Sequence, residues 1–408
     1  MKSIRVVVCL FSGFLPAVLF LTAGAAPARA GFGDQLYRIA GGSDERLGRS
    51  VAIDEGRLLL GAPGSENAYV HDASTGVLNR VLLGSEDTFG AAVAIDGERA
   101  VVGAFHADSL GTNAGAAYLY DLGGVAAPQP LEGQDTGAFD RFGWSTAVDG
   151  NLVLVGAYAH NDTHGAAYLF DATTGEQSME IVPGVPADDG YFGRSVAIEG
   201  GLALVGAYRD IDAEGVNTGS AYLFDTTTGE QVFRFEPEDG AFSDYFGESV
   251  ALSEGLAIVG SWGNSEGNLS SGAAYVYDVA TGQLVNKLTP IDGRRDQGFG
   301  GSVAIDGRYA LIGAVGDDAN GQLAGAAYLF DAVSGQQLLR ITPDDSSAYQ
   351  NFGFSVALDD GLAVIGAPGH SSSNGAAYVF DVAIPEPTSW LLLSAACLFL
   401  AGHRLRVV

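Results

Sequence analysis

The sequence predicts an all-β fold: a seven-bladed β-propeller of four-stranded antiparallel blades, with the last blade closed by an N-terminal strand. Three observations carry this. A unit recurs along the chain, opened by Phe-Gly at positions 89, 142, 192, 246, 299 and 352 and, in altered form, by Leu47-Gly48. Each unit holds four short apolar segments within roughly fifty residues, the composition of one blade. No segment shows helical periodicity. Three or four independent sandwiches would need unlike, self-sufficient cores, which near-copies do not supply.

Within a unit, the opening Phe-Gly leads into a strand of the "SVAID" type. Turns such as Asp96-Gly97, Asp149-Gly150 and Asp306-Gly307 follow, residue pairs suited to the positive φ of a tight hairpin. The second strand is a continuous apolar run, "LVLV" at 152–155 or "LALV" at 202–205, as expected where neighbouring blades cover both faces. It ends in Gly-Ala (Gly-Ser once), and a variable loop leads to a third strand of the "AYLFD" type. The tyrosine of that strand stands at 69, 118, 168, 222, 275, 328 and 378. Most copies then pass through a polar turn into a fourth strand, as in "TTGEQVFRF". The seventh copy stops at "AYVFDVA" without one. Before the first copy stands "DQLYRIAGG", Asp34 to Gly42, which matches "QQLLRITPDD" and is read as the missing strand. A ring closed in this way has no free edge.

These motifs resemble the FG-GAP repeat family, from about Leu47 to Asp381. Gly61-Ala62-Pro63 and Gly366-Ala367-Pro368 keep the full second motif. The family includes the seven-bladed propeller of integrin α chains, so the resemblance implies adhesion or ligand binding and no catalysis. Integrin-type repeats often carry an Asp/Asn-rich calcium loop between the first two strands. Here that place holds tight turns, so calcium does not carry over to it.

Both ends read as processing segments, which sets the propeller body at residues 31–384. Residues 1–30 have the pattern of a signal peptide: Lys2 and Arg5, an apolar run, and Ala28-Arg29-Ala30 for signal peptidase cleavage after Ala30. Residues 385–408 open with Pro385-Glu386-Pro387, continue with "TSWLLLSAACLFLAG" and end in "HRLRVV". As a helix the apolar run reaches about 22 Å, short of a ~30 Å hydrocarbon core, so it reads as a short anchor or a transient membrane contact. The segment resembles the PEP-CTERM sorting signal of Gram-negative bacteria. That resemblance implies an exosortase as processing partner and export to the cell surface or extracellular matrix, often alongside exopolysaccharide.

The only cysteines, Cys9 and Cys397, lie in these end segments, so the body has no disulfide to form. The whole chain carries 20 basic and 49 acidic residues, a formal charge of −29; residues 31–384 keep 15 and 48, or −33. Such a field repels nucleic acid and anionic lipid and favours cations or basic partners, while also keeping an exported protein soluble.

Topology assigns the binding face. In an antiparallel blade the first-to-second and third-to-fourth turns share one face, and both are stereotyped. The second-to-third loops and blade-to-blade links share the other, where the variation sits, and variable loops on a rigid scaffold carry function. The residue after Gly-Ala is Phe105, Tyr158, Tyr208 and Trp262 in four consecutive blades, against Pro63, Val315 and Pro368 elsewhere. Four such aromatics can form a platform for a glycan or a protein cation, or plug the gaps between blades.

Acidic residues repeat as well. Asp135, Asp239, Asp292 and Asp345 stand seven residues before a blade-opening Phe, with Asp140 and Asp244 two before it. Asx-turns that tie down the loop are one reading, a ring of metal sites another. Asp210, Asp212 and Glu214 imitate the opening of a calcium loop, although Ala221 holds the position of its bidentate glutamate. His160-x-Asp162-x-His164 has ligand types on a solvated loop. No nucleophile elbow is present, and the chain reads as a non-enzymatic binding module. The alternative is a polysaccharide-active hydrolase or lyase using carboxylates of the variable face.

Overall fold

The computed structural model describes residues 31–185, 189–213, 215–265 and 271–383. They form seven four-stranded antiparallel sheets. The first strands of neighbouring blades touch one another all the way round, so they surround the axis. Residues Ala30, Pro385, Glu386 and Pro387, on which the processing assignments rest, lie outside the described residues.

Closure follows the expected route. The seventh sheet holds Ser355–Asp359, Leu362–Ala367 and Ala376–Asp381, with Gln35–Ala40 as its outer strand. Gln35 stands opposite Phe380 and Ala40 opposite Ala376. Arg38 in the borrowed strand also pairs with Asp345, so a charge contact reinforces the ladder.

Seven apolar clusters fill the seven blade interfaces. At one of them Phe142, fully buried, packs with Tyr168 and Phe170 of its own blade and with Val101, Ala117, Leu119 and Leu131 of the blade before. At the closing seam Leu47 takes the place of the phenylalanine, against Ala377 and Val379. The Phe and Tyr of a blade meet edge-on, with centroids 5.6 Å apart for Phe142 and Tyr168 and 5.3 Å for Phe246 and Tyr275.

The glycines of both repeated motifs belong to these seams. A Cβ on the opening glycine of any blade would fall within 3.0 Å of a third-strand carbonyl in the blade before, such as Ser220 for Gly247. A Cβ on the glycine that ends a second strand would fall within 3.0 Å of the next blade's opening-glycine carbonyl, as Gly260 does with Gly300. The first-strand serine donates its hydroxyl to that same carbonyl: Ser249 to Gly300 at 2.8 Å, and Ser355 to Gly48 at 2.9 Å across the closing seam. The second blade, with Ala92 there, has no hydroxyl to donate.

Two short helical turns, His160–Thr163 and His370–Ser373, occur where no helix was expected. Both contain left-handed residues (Asn161 and Asp162 in the first), so they are loop bends that carry no periodicity for a sequence to display.

The seam makes a graded prediction. Gly260→Ala forces a methyl group into the Gly300 carbonyl and should cost toward the upper end of the ~1–3 kcal/mol of an overpacked site. Ser249→Ala removes one hydrogen bond at the same carbonyl and should cost about 1 kcal/mol. Urea unfolding of the two variants checks the order, and equal losses would remove the steric role assigned to the glycine.

Candidate binding face

The residue before each opening pair (Arg46, Thr88, Arg141, Tyr191, Tyr245, Gly298 and Asn351) has a positive φ, between 54° and 67°. The opening glycine follows two residues later with φ between 81° and 90°. This bend sends the next side chain toward the axis. The seven residues so placed (Arg49, Ala91, Trp144, Arg194, Glu248, Gly301 and Phe354) line a single pocket of about 340 Å³. Phe105, Trp262 and Val315 extend its lining from the second-to-third loops.

Phe105, Tyr158, Tyr208 and Trp262 fall on one arc, and three further rings interleave with them. The series runs Phe105, Trp144, Tyr158, Tyr191, Tyr208, Tyr245, Trp262, with neighbouring centroids between 4.4 and 5.8 Å. Trp262 is 40 % exposed and stacks on Tyr245 at 4.7 Å and 7°. The other six are half-buried, so each ring both fills a seam and shows an edge or face to solvent. The position after Gly-Ala does not reveal Trp144, Tyr191 and Tyr245, which precede or follow the Phe-Gly pair. "YFG" at two consecutive blade entries was the available signal.

Two arginines enter the pocket in different ways. Arg194 lies 4.3 Å from the Trp144 ring and 5.1 Å from Tyr208, and donates to both oxygens of Glu248 at 3.1 and 2.7 Å. Arg49 stacks on Phe354 at 4.5 Å. No carboxylate among the described residues lies within ion-pair distance of Arg49. Burial, and then the charge of Arg194, hold its pKa down to about 10.

A larger cavity of about 590 Å³ opens on the opposite face, lined by Asp96, Glu98, Arg99, Asp121, Gln129 and Thr173 among others. It exists because the fourth strand of the second blade is only Gln129–Leu131.

The repeated aspartates depart from the Asx-turn expectation. Asp135 accepts the Tyr168 hydroxyl at 2.9 Å, Asp239 that of Tyr275 at 2.7 Å and Asp345 that of Tyr378 at 2.9 Å. Asp292 pairs with Arg340 at 3.3 Å. Asp140 and Asp244 do tie the loop, accepting from the backbone of Gly137 at 2.7 Å and Ala241 at 3.0 Å. Opposite each of four such tyrosines the fourth strand supplies a cation: Arg38, Arg234, Lys287 and Arg340 face Tyr378, Tyr222, Tyr275 and Tyr328. Asp210 belongs to this pattern. It is buried, accepts from Tyr222 and pairs with Arg234 at 3.2 Å. Asp212 accepts the Val216 amide at 2.8 Å, and Glu214 lies outside the described residues.

The first three blades lack this cation: Val81 and Pro130 stand opposite Tyr69 and Tyr118, and the third blade goes further. Its position opposite Tyr168 is Glu180. Asp135, His160 and Glu180 each offer an atom within 4.8 Å of the others, the one such group among the described residues able to hold a metal ion. Asp162 stays exposed and takes no part. His160 turns inward and meets Asp140 at 2.8 Å, which raises its pKa from 6.5 against the opposing effect of burial. A raised folded-state pKa means that this contact stabilises fully below about pH 6.5 and is lost as pH rises through the folded value. In the seventh blade, where Arg38 stands opposite the tyrosine, His370 instead has its pKa lowered, chiefly by burial. Glu180→Arg should therefore pull the His160 pKa down toward the behaviour of His370. An NMR titration of the His160 ring reads this, and an unchanged midpoint would contradict it.

A family model described as FG-GAP repeat matches residues 84–120, 129–170, 176–224, 230–277, 283–330 and 336–380. No curated protein matches the chain.

Proposed function

Since the chain belongs to the FG-GAP repeat family, we propose that it is a non-enzymatic binding or adhesion module presenting its variable-loop face to a ligand outside the cell. The observation that carries this reading is the continuous arc of seven rings bordering the axial pocket. Aromatic rings on a rigid ring of strands offer contact area at small entropic cost, which suits a glycan or a protein ligand. The pocket lining has one carboxylate, Glu248, held by Arg194, whereas glycoside hydrolysis calls for two. That weighs against the polysaccharide-active alternative. Replacing Tyr208 and Trp262 together by Ala should weaken binding found on a glycan and protein array by about 1 kcal/mol or more. The melting temperature should move little. A large stability loss with intact binding would return the rings to a packing role.

Export to the cell surface or matrix is part of the same proposal, with signal peptidase and an exosortase acting at the two ends. No helix among the described residues is long and apolar enough to cross a membrane. If both ends are processed in this way, the native host should yield a chain beginning at Gly31 and ending near Pro385, as intact mass would show. Recovery of Trp390 in the mature protein would instead make the C-terminal segment an anchor.

A further inference from the structure

The seven residues that meet at the axis differ in size, and their order gives the pocket a direction. Ala91 and Gly301 belong to the second and sixth blades. Between them lie Trp144, Arg194 and Glu248 on one side of the ring, and Phe354 and Arg49 on the other. Two small side chains across the axis leave a slot between two built walls. Its ends run out past Phe105 in the second blade and Val315 in the sixth.

One wall is electrically complete. Arg194 is clamped by both oxygens of Glu248 and stacked on Trp144, so its charge is used within the protein. The other wall is not. Arg49 is half-buried and stacked on Phe354, with Arg194 adding repulsion, and Glu248, which acts on it from beyond ion-pair distance, is already engaged. Withdrawing a cation from water without a partner costs stability. The cost is conspicuous in a chain with 49 acidic residues, where a compensating carboxylate is the commonest charge available. The arginines that face repeated tyrosines, in contrast, each have one.

We propose that the slot binds a uronate residue of an acidic saccharide, its carboxylate paired with Arg49 and its ring against the aromatic lining; this rests on the binding-module reading above. A guanidinium matches a carboxylate bidentately, and the lining rings Phe105, Trp144, Trp262 and Phe354 suit the flat face of a sugar. A uronate joins both features in one unit. An Asp or Glu side chain of a peptide brings the carboxylate on a flexible stem with no ring to meet the aromatics. The formal charge of −29 opposes a densely charged polymer, so the slot selects a saccharide whose carboxylates are few or well spaced. A volume of about 340 Å³ accommodates one such unit with its linkages leaving by the open ends.

The test titrates the full chain by calorimetry with galacturonate and glucuronate tetramers, their methyl esters, a neutral glucose tetramer and a tetraglutamate peptide. A uronate tetramer should bind, and esterifying it should weaken binding about tenfold or more, as expected for loss of a charge-assisted pair. Arg49→Gln should lower affinity for the uronate to the level of its ester, and Arg49→Lys should fall between. Arg49→Gln should also melt at or above the parent, because it removes an unpaired, half-buried charge. The proposal is overturned if ester and acid bind alike, if Arg49→Gln binds the acid normally, or if the peptide binds as well as the uronate. It is also overturned if Arg49→Gln melts well below the parent, which would make Arg49 a packing residue. Binding of the glucose tetramer alone would sink the carboxylate while leaving the binding module standing. An array on which the chain binds nothing would sink the module itself.

Discussion

The structure depends on close backbone approach at seven seams. The glycine of Phe-Gly wedges under the preceding blade, and its carbonyl in turn presses on the glycine that ends that blade's second strand. No side chain fits between them. Because this contact is made by main chain, it fixes the spacing and tilt of the blades independently of what each blade displays. Serine hydroxyls from six first strands converge on the same carbonyls and hold the approach in register. The apolar clusters outside this contact then fill a space whose dimensions the glycines have already set.

That division explains what the sequence makes legible. Residues under the seam constraint are nearly identical from copy to copy, so Phe-Gly, Gly-Ala and the "AYLFD" tyrosine announce the fold. The borrowed strand was legible for the same reason: "QLYRIA" has to satisfy the ladder that "QQLLRI" satisfies in the sixth blade. The axial pocket was not. Arg49, Ala91, Trp144, Arg194, Glu248, Gly301 and Phe354 have nothing in common as residue types, and a search for similarity discards them. What unites them is a left-handed residue three positions earlier, which is a property of φ and not of composition. The aspartate partners were hidden differently. Asp239 lies on the link into the fifth blade and Lys287 on that blade's fourth strand, 48 positions later, and only the fold brings them to 2.5 Å.

The repeats also serve as controls on one another. Four blades neutralise the tyrosine–carboxylate cluster with an arginine or lysine, and the third substitutes Glu180 and a histidine whose pKa is raised. Arg194 and Arg49 form a similar pair of cases, one satisfied within the protein and the other left for an outside partner. In each comparison the backbone is held constant, so the difference in chemistry comes from one or two side chains.

Closure by a strand from the opposite end of the chain has a consequence in time. Gln35 and Phe380 are neighbours in the ladder but stand 345 positions apart along the chain (380 − 35). Six sheets can each complete themselves from local sequence, with loops of a few residues to close. The seventh cannot form its outer edge until Ala376–Asp381 has been made, after the strands of the other six sheets. Until then the segment Gln35–Ala40 has no sheet to join, and once Ala376–Asp381 appears its open edge is a template for any strand nearby, including that of another molecule. The ring is therefore most exposed to mispairing in the interval before its two ends meet, and the order of assembly, more than the strength of any blade, governs how safely it is made.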